Sequence, residues 1–88
     1  MNTFITREPR AQAVDFGVDT LIVHLEDGRS VSAPLEWFPR LRDASEADRR
    51  QWRLIGRGIG VHWEALDEDL SVRGLLEGTA VAKSERAS

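Results

Sequence analysis

The stretch TLIVHLEDGRSVSA, residues 20–33, constrains the fold more than any other part of the sequence. In residues 20–25 the odd-numbered positions are all apolar, and this period of two is that of a strand with one buried face. The pair Asp27-Gly28 follows, and Asp-Gly between two such runs is a strong hairpin signal because glycine adopts positive φ without strain. Residues 30–33 then form the returning strand, so an antiparallel hairpin is predicted here.

The segments around this hairpin predict further elements. Residues 11–16 alternate weakly and add a third strand to the hairpin. Ser45 followed three residues later by Asp48 is typical of a helix start. The spacing of apolar residues after it predicts a helix over residues 46–55. Alternation returns in residues 59–66, which predicts a fourth strand.

These elements predict an α+β fold with a small antiparallel sheet of about four strands. One main α-helix packs on a face of the sheet, and a short C-terminal helical turn is expected near residues 74–77. A chain of 88 residues is short enough for a single domain covering residues 1–88. The ends, residues 1–8 and 79–88, are expected to fray.

Aromatic and aliphatic residues on the inner faces of these elements predict the core. Phe38, Leu41, Trp52 and Trp63 are expected to be largely buried in it. In PLEWFPRL, residues 34–41, the first proline ends a strand and the second suits the first turn of a short helix. Adjacent side chains point to opposite sides of an extended chain, so either Trp37 or Phe38 is expected at the rim unless the chain bends.

Composition excludes several classes of protein. There is no cysteine, so disulfides, thiol chemistry and cysteine-based zinc sites are excluded. No apolar run approaches the roughly 18 residues of a membrane span. The first ten residues lack the apolar segment of a secretory signal. We therefore expect a cytoplasmic protein without a membrane-spanning segment.

Charge is segregated along the chain, although the net charge is only -3. Residues 40–57 carry six arginines and three acids, whereas residues 58–78 carry five acids and one arginine. The simpler interpretation is that the basic and acidic side chains pair with one another within the molecule. The more specific interpretation is that the acids form a face that binds a partner. That face would consist of Glu64, Asp67, Glu68 and Asp69. Separately from this face, Trp37 and Arg40 form a possible hot spot at the rim of the core.

The arginines suggest a competing interpretation. Arg49, Arg50 and Arg53 could contact phosphates while Trp37 or Trp52 stacks on bases. Proteins that mainly neutralise phosphate are usually strongly basic, and this chain is acidic. Nucleic-acid binding is therefore the second hypothesis.

No residue set favours a metal or a reaction. His24, His62 and Glu64 are the types of a two-histidine, one-carboxylate site, but the sequence does not fix their relative positions. The acids at residues 67–69 lack the alternating ligands of a calcium loop. The chain also offers no nucleophile with its base and no glycine-rich phosphate loop. We expect no metal, no cofactor and no catalytic residue, and hence not an enzyme.

Two strings carry a family resemblance: LEDGRSVSAPLEWFPRL and ASEADRRQWRLIGRGIGVHWEALDEDLSVRGLLEG. They resemble the small bacterial domain of unknown function 2442 (DUF2442) over residues 14–78. Uncommon residues recur together in that family's pattern, at positions Trp37, Phe38, Pro39, Trp52, His62, Trp63, Asp67, Asp69, Leu75 and Leu76. Glu64 departs from the pattern, since the family often has proline there.

The resemblance implies an α+β fold and no established catalytic activity. It also implies a genetic setting, since relatives often adjoin a second small protein as toxin–antitoxin pairs do, and some are carried on mobile elements. Together with the acidic segment, this leads to the hypothesis of an antitoxin- or inhibitor-like module. Its partner would be a protein with a basic, nucleic-acid-binding groove, such as a toxin or a phage-defence (CRISPR-type) effector. A self-associating structural protein, such as a homodimer, is a further alternative.

Overall fold

The computed structural model describes residues 9–78 and has an α+β fold, as the sequence predicts. The expected frayed ends, residues 1–8 and 79–88, lie outside the described residues. The strands are β1 (Ala11–Phe16), β2 (Thr20–Leu25), β3 (Ser30–Pro34), β4 (Trp52–Ile55), β5 (Gly60–Trp63) and β6 (Glu68–Ser71). The helices are α1 (Pro39–Arg42), α2 (Glu46–Arg49) and α3 (Val72–Glu77), and 3₁₀ turns span Leu35–Trp37 and Gly56–Gly58.

The strands form two antiparallel sheets, ordered β1-β2-β3 and β4-β5-β6. The prediction of one sheet with about four strands was therefore wrong. The first sheet is the expected meander, and Gly28 has the positive φ of 98° that its turn requires. The second sheet adds β4 and β6 on either side of the predicted fourth strand. Across residues 9–78 no helix has the length and apolar character needed to cross a membrane.

The predicted main helix over residues 46–55 is also wrong. Ser45 caps a helix as expected, since its Oγ accepts from the N–H of Asp48 at 3.1 Å. That helix, α2, ends at Arg49, and residues 52–55 form β4 instead. The apolar residues of so short a segment fit the period of a helix and the period of a strand equally well. The pairing of β4 with β5 decides in favour of the strand.

The inner faces of both sheets contribute to one core, which α3 also contacts through Val72 and Leu75. The predictions for Phe38, Leu41 and Trp63 are confirmed, because each is at most 1% exposed. Trp52, predicted to be largely buried, only packs against the core with a partly exposed side chain. It lies on β4, an edge strand of its sheet, and its ring is covered less completely than that of Trp63 on the central strand.

The corner at residues 34–41 bends between its two aromatics. The 3₁₀ turn before Phe38 lets its N–H donate to the Leu35 carbonyl at 2.8 Å. Phe38 then enters the core while Trp37 stays half-buried beside it, with 6.5 Å between the ring centroids. The rim position therefore belongs to Trp37.

Candidate protein-binding surface

The four acids predicted to face a partner lie on the β5–β6 hairpin, but they do not share one surface. Glu64 and Asp67 are in the turn, with side chains 77% and 94% exposed. Side chains alternate along β6, so Asp69 lies on the outer face of the sheet. Glu68 lies opposite Trp63 on the inner face and is 4% exposed. Glu68 therefore does not belong to the partner-binding face, and its assignment there was wrong.

His62 joins two of these acids on the outer face of the second sheet. The register places Arg53, His62 and Asp69 side by side on β4, β5 and β6. The Nδ1 atom of His62 is 2.5 Å from Asp69 Oδ1, and its Nε2 atom is 3.1 Å from Glu64 Oε1. Arg53 donates to the same oxygen of Glu64 at 3.2 Å. Four charged or titratable groups thus form one row across the sheet.

The row changes the protonation of its members. The hydrogen bond with Asp69, helped by the charge of Glu64, raises the pKa of His62. The hydrogen bond from Arg53 and the charge of His62 lower the pKa of Glu64. Protonated His62 compensates one carboxylate of the row. Deprotonation of His62 therefore makes this surface more acidic by one charge.

Arg40 attaches the hairpin turn to the corner at residues 34–41. Its Nη1 atom donates to the carbonyl of Asp67 at 2.7 Å and lies 3.9 Å from the Asp67 carboxylate. Arg40 and Trp37 were predicted as a rim hot spot separately from the acids, and Arg40 joins the two sets. We call Trp37, Arg40, Glu64, Asp67 and Asp69 the acidic corner.

The three arginines of the competing hypothesis do not share one free surface. Arg49 donates through Nε to the Leu41 carbonyl and through Nη2 to the Arg42 carbonyl, each at 2.8 Å. These are the last carbonyls of α1, so Arg49 acts as its C-terminal cap. Arg50 pairs with Glu46 at 2.7 Å, and Arg53 is in the His62 row. Each guanidinium thus already has an intramolecular partner.

His24 is the centre of a second polar row, on the outer face of the first sheet. Its Nδ1 atom is 2.9 Å from Ser30 Oγ, and its Nε2 atom is 2.8 Å from Asp15 Oδ2. A serine, a histidine and an aspartate linked in this order also form the proton relay of serine hydrolases. Such a relay also needs oxyanion donors aimed at a bound carbonyl. Here the row lies on an open sheet face, and the N–H groups of β2 are committed to two flanking strands. We interpret the row as a structural cross-strand contact.

The two histidines therefore do not meet. His24 lies on the first sheet and His62 on the second, so the three residues considered for a metal site are not brought together. Over the described range 9–78, no group of three or more histidine, cysteine or carboxylate residues is arranged to hold a metal.

Sequence reasoning missed a cleft of about 380 Å³ between the two sheets. Residues 14–17 of β1 and its following turn form one wall, and Glu46, Arg49, Arg50 and Trp52 form the other. We call it the β1 cleft. No local pattern places β1 beside α2 and β4, so the sequence carries no signal for this cleft.

Comparison with solved structures identifies two similar chains. A crystal structure of a protein of unknown function from Rhodospirillum rubrum ATCC 11170 is 35% identical, with a TM-score of 0.73, and the match covers 89% of this chain and 96% of that one. The solution NMR structure of an uncharacterized protein from Chromobacterium violaceum is 24% identical, with a TM-score of 0.72 and coverage of 89% and 73%. The second likeness concerns the fold alone.

The sequence comparisons agree with the structural ones. The model of a family described as protein of unknown function, DUF2442, matches residues 11–80. No curated protein matches the chain.

Proposed function

The chain belongs to the DUF2442 family, and from this premise we propose that it is a non-catalytic protein-binding module. In this proposal it acts like an antitoxin or inhibitor by covering a basic, nucleic-acid-binding groove of another protein. The partner is a toxin or a phage-defence (CRISPR-type) effector, and the encounter takes place in the cytoplasm. The absence of cysteine fits that reducing compartment.

The observation that carries this proposal is the attachment of Arg40 to the Asp67 carbonyl at 2.7 Å. This contact fixes the β5–β6 turn, which carries the exposed carboxylates of Glu64 and Asp67, next to the segment 34–41, which contains Trp37. Interface hot spots favour tryptophan and arginine, and pre-ordered groups lose less entropy on binding. The acidic corner thus combines an aromatic anchor with fixed negative charge.

Its electrostatics also suit a basic target. Complementary charge mainly speeds encounter and selects partners, and its effect weakens as salt screens the field. Asp67 carries most of this role, because its side chain is 94% exposed and its ion pair with Arg40 is long, at 3.9 Å. Glu64 shares its charge with Arg53 and His62.

A charge-reversal experiment tests the proposal. The partner captured by the parent chain from its native host is purified, and its association rate is measured with Glu64→Lys plus Asp67→Lys. The matched control, Glu26→Lys plus Glu77→Lys, makes the same change in net charge at two other exposed positions. We expect the corner variant to lose about tenfold or more in association rate at low salt, and the control to stay close to the parent. Equal losses in association rate for both variants would contradict a specific role for the acidic corner.

Nucleic-acid binding is the second candidate, and one observation favours it. The β1 cleft brings Arg49 and Arg50 together with the partly exposed ring of Trp52, a combination that suits stacking on bases. Arg50→Glu with Arg53→Glu tests it without disturbing the cap made by Arg49. If the parent binds DNA at physiological salt and this variant does not, the second candidate replaces the first.

A further inference from the structure

The β1 cleft contains a strand edge that no described residue pairs with. β1 is the first strand of its sheet, and within residues 9–78 its pairing is with β2 alone. Residues 14–17 of this strand and its turn form one wall of the cleft. The backbone of an edge strand is the usual template for adding another strand.

The hydrogen-bond alternation tells which groups point into the cleft. The N–H of Gly17 donates to the Thr20 carbonyl at 2.8 Å, so the groups of Gly17 point towards β2 at this turn. Residues alternate along an antiparallel strand between bonding to the neighbour and pointing away from it. Phe16 and Val14, one and three residues earlier, therefore direct their N–H and C=O groups away from β2, towards the cleft.

The side chains around this edge suit an apolar group flanked by an anion. Phe16 and Trp52 are only partly buried and contribute aromatic surface to opposite walls. The guanidinium of Arg49 lies 5.4 Å from the Phe16 ring centroid. It is held by two backbone carbonyls, which position it without neutralising its charge.

The remaining charges of the cleft already have partners. Arg50 pairs with Glu46 at 2.7 Å, and Asp15 contacts His24 at 2.8 Å. The charge of Arg49 is therefore the one without an ion-pair partner among the described residues that line the cleft. It is complementary to one carboxylate on an otherwise uncharged segment, whereas a phosphate chain, with a charge on every nucleotide, would also meet the carboxylates of Asp15 and Glu46.

We propose that the β1 cleft is a docking site for an extended, carboxylate-bearing segment of a partner protein. The segment adds a short strand along Val14 and Phe16, places an apolar side chain between Phe16 and Trp52, and brings a carboxylate to Arg49. A peptide backbone satisfies the outward N–H and C=O groups of β1, which a small apolar ligand would leave unpaired. This site is separate from the acidic corner and does not depend on it.

The experiment selects peptides from a random twelve-residue phage-display library against the full chain. We expect enriched peptides with apolar residues at alternate positions and at least one carboxylate. Titration of the best peptide into the ¹⁵N-labelled chain should shift the resonances of residues 14–17, Arg49 and Trp52. It should also slow the hydrogen exchange of the Val14 and Phe16 amides, because those amides become hydrogen-bonded.

Two matched pairs separate the strand-addition geometry from general attraction. N-methylation of the peptide residues that face β1 should weaken binding about tenfold or more, while N-methylation of the intervening residues should not. Arg50→Glu puts a negative charge at the cleft and should weaken binding, whereas Arg53→Glu, in the His62 row, should not. A peptide that binds elsewhere, or a selection without enrichment, overturns the proposal.

Two other outcomes have distinct meanings. If the free chain proves to be a dimer whose dissociation shifts the same resonances, a second copy occupies the cleft and the partner-segment proposal is wrong. The acidic-corner variant, Glu64→Lys plus Asp67→Lys, should bind the selected peptide like the parent. Loss of the host partner by that variant with peptide binding intact would support the two surfaces independently, and loss of both would contradict their separation.

Discussion

Trp52 and Trp63 lie directly opposite each other on β4 and β5, yet only Trp63 is fully enclosed. Trp63 is on the central strand of its sheet, and its indole N–H donates to the Arg49 carbonyl at 3.0 Å. Trp52 is on the edge strand and lines the β1 cleft. A tryptophan thus belongs to the core on the central strand and to an open surface on the edge strand.

Replacing each tryptophan with alanine should separate these roles. Trp63→Ala removes a fully buried aromatic and should lower the free energy of unfolding by about 3 to 5 kcal/mol. Trp52→Ala removes a half-buried ring and should cost about 1 to 2 kcal/mol. Urea unfolding followed by far-ultraviolet circular dichroism measures both. Equal losses would mean that Trp52 is as much a core residue as Trp63.

Local signals predicted the first sheet well. Period-two alternation and Asp27-Gly28 act within a few residues, and so the β2–β3 hairpin could be predicted from them. The hairpin of β4 and β5 pairs residues no further apart in sequence than the β2–β3 hairpin does, but no Asp-Gly turn marks it. Four residues of β4 fit a helical spacing equally well, and that ambiguity produced the predicted long helix.

The candidate site was predictable in type but not in arrangement. The acidic run indicated a charged surface, yet the strand at residues 68–71 turns Glu68 inward and leaves Asp69 outside. The contact of Arg40 with the Asp67 carbonyl joins residues 27 positions apart, which no motif in the sequence links. The β1 cleft likewise exists only after the two sheets pack together.

Arg49 should matter more for stability than its neighbour Arg50. Arg49→Gln removes the charged donor that caps α1, and it should lower the free energy of unfolding by about 2 kcal/mol. Arg50→Gln removes an exposed ion pair with Glu46 and should change it by about 0.5 kcal/mol or less. Chemical unfolding of the two variants side by side provides the comparison. A larger loss for Arg50→Gln would show that the cap is unimportant.

Gly58 should tolerate a side chain less than Gly28 does, although both have a φ near 100°. An alanine Cβ at Gly58 would lie 2.6 Å from the Ala11 carbonyl oxygen, whereas at Gly28 it would meet nothing within 4 Å. We expect Gly28→Ala to cost about 1 to 2 kcal/mol from the backbone conformation alone. Gly58→Ala should cost at least about 3 kcal/mol, since β1 must also shift. Thermal unfolding tests this order, and similar melting temperatures for the two variants would contradict it.

His62 should make stability depend on pH through its contact with Asp69. The pKa of His62 is raised in the folded chain, whereas in the unfolded chain it is about 6.5. The folded state therefore binds the proton more tightly. The resulting stabilisation is fully present below pH of about 6.5 and is lost as the pH rises through the folded pKa.

Asp69→Asn should lower the pKa of His62 because it removes the largest cause of the rise. The Hε1 chemical shift of His62 followed against pH reports the pKa directly, and urea unfolding across the same range reports the stability. Asp19→Asn, an exposed carboxyl outside the row, is the control and should alter neither curve. An unchanged pKa in Asp69→Asn would assign the effect to Glu64 instead. A lowered pKa with the stability curve unchanged would mean that the contact of His62 with Asp69 persists in the unfolded chain and adds nothing to the pH dependence of folding.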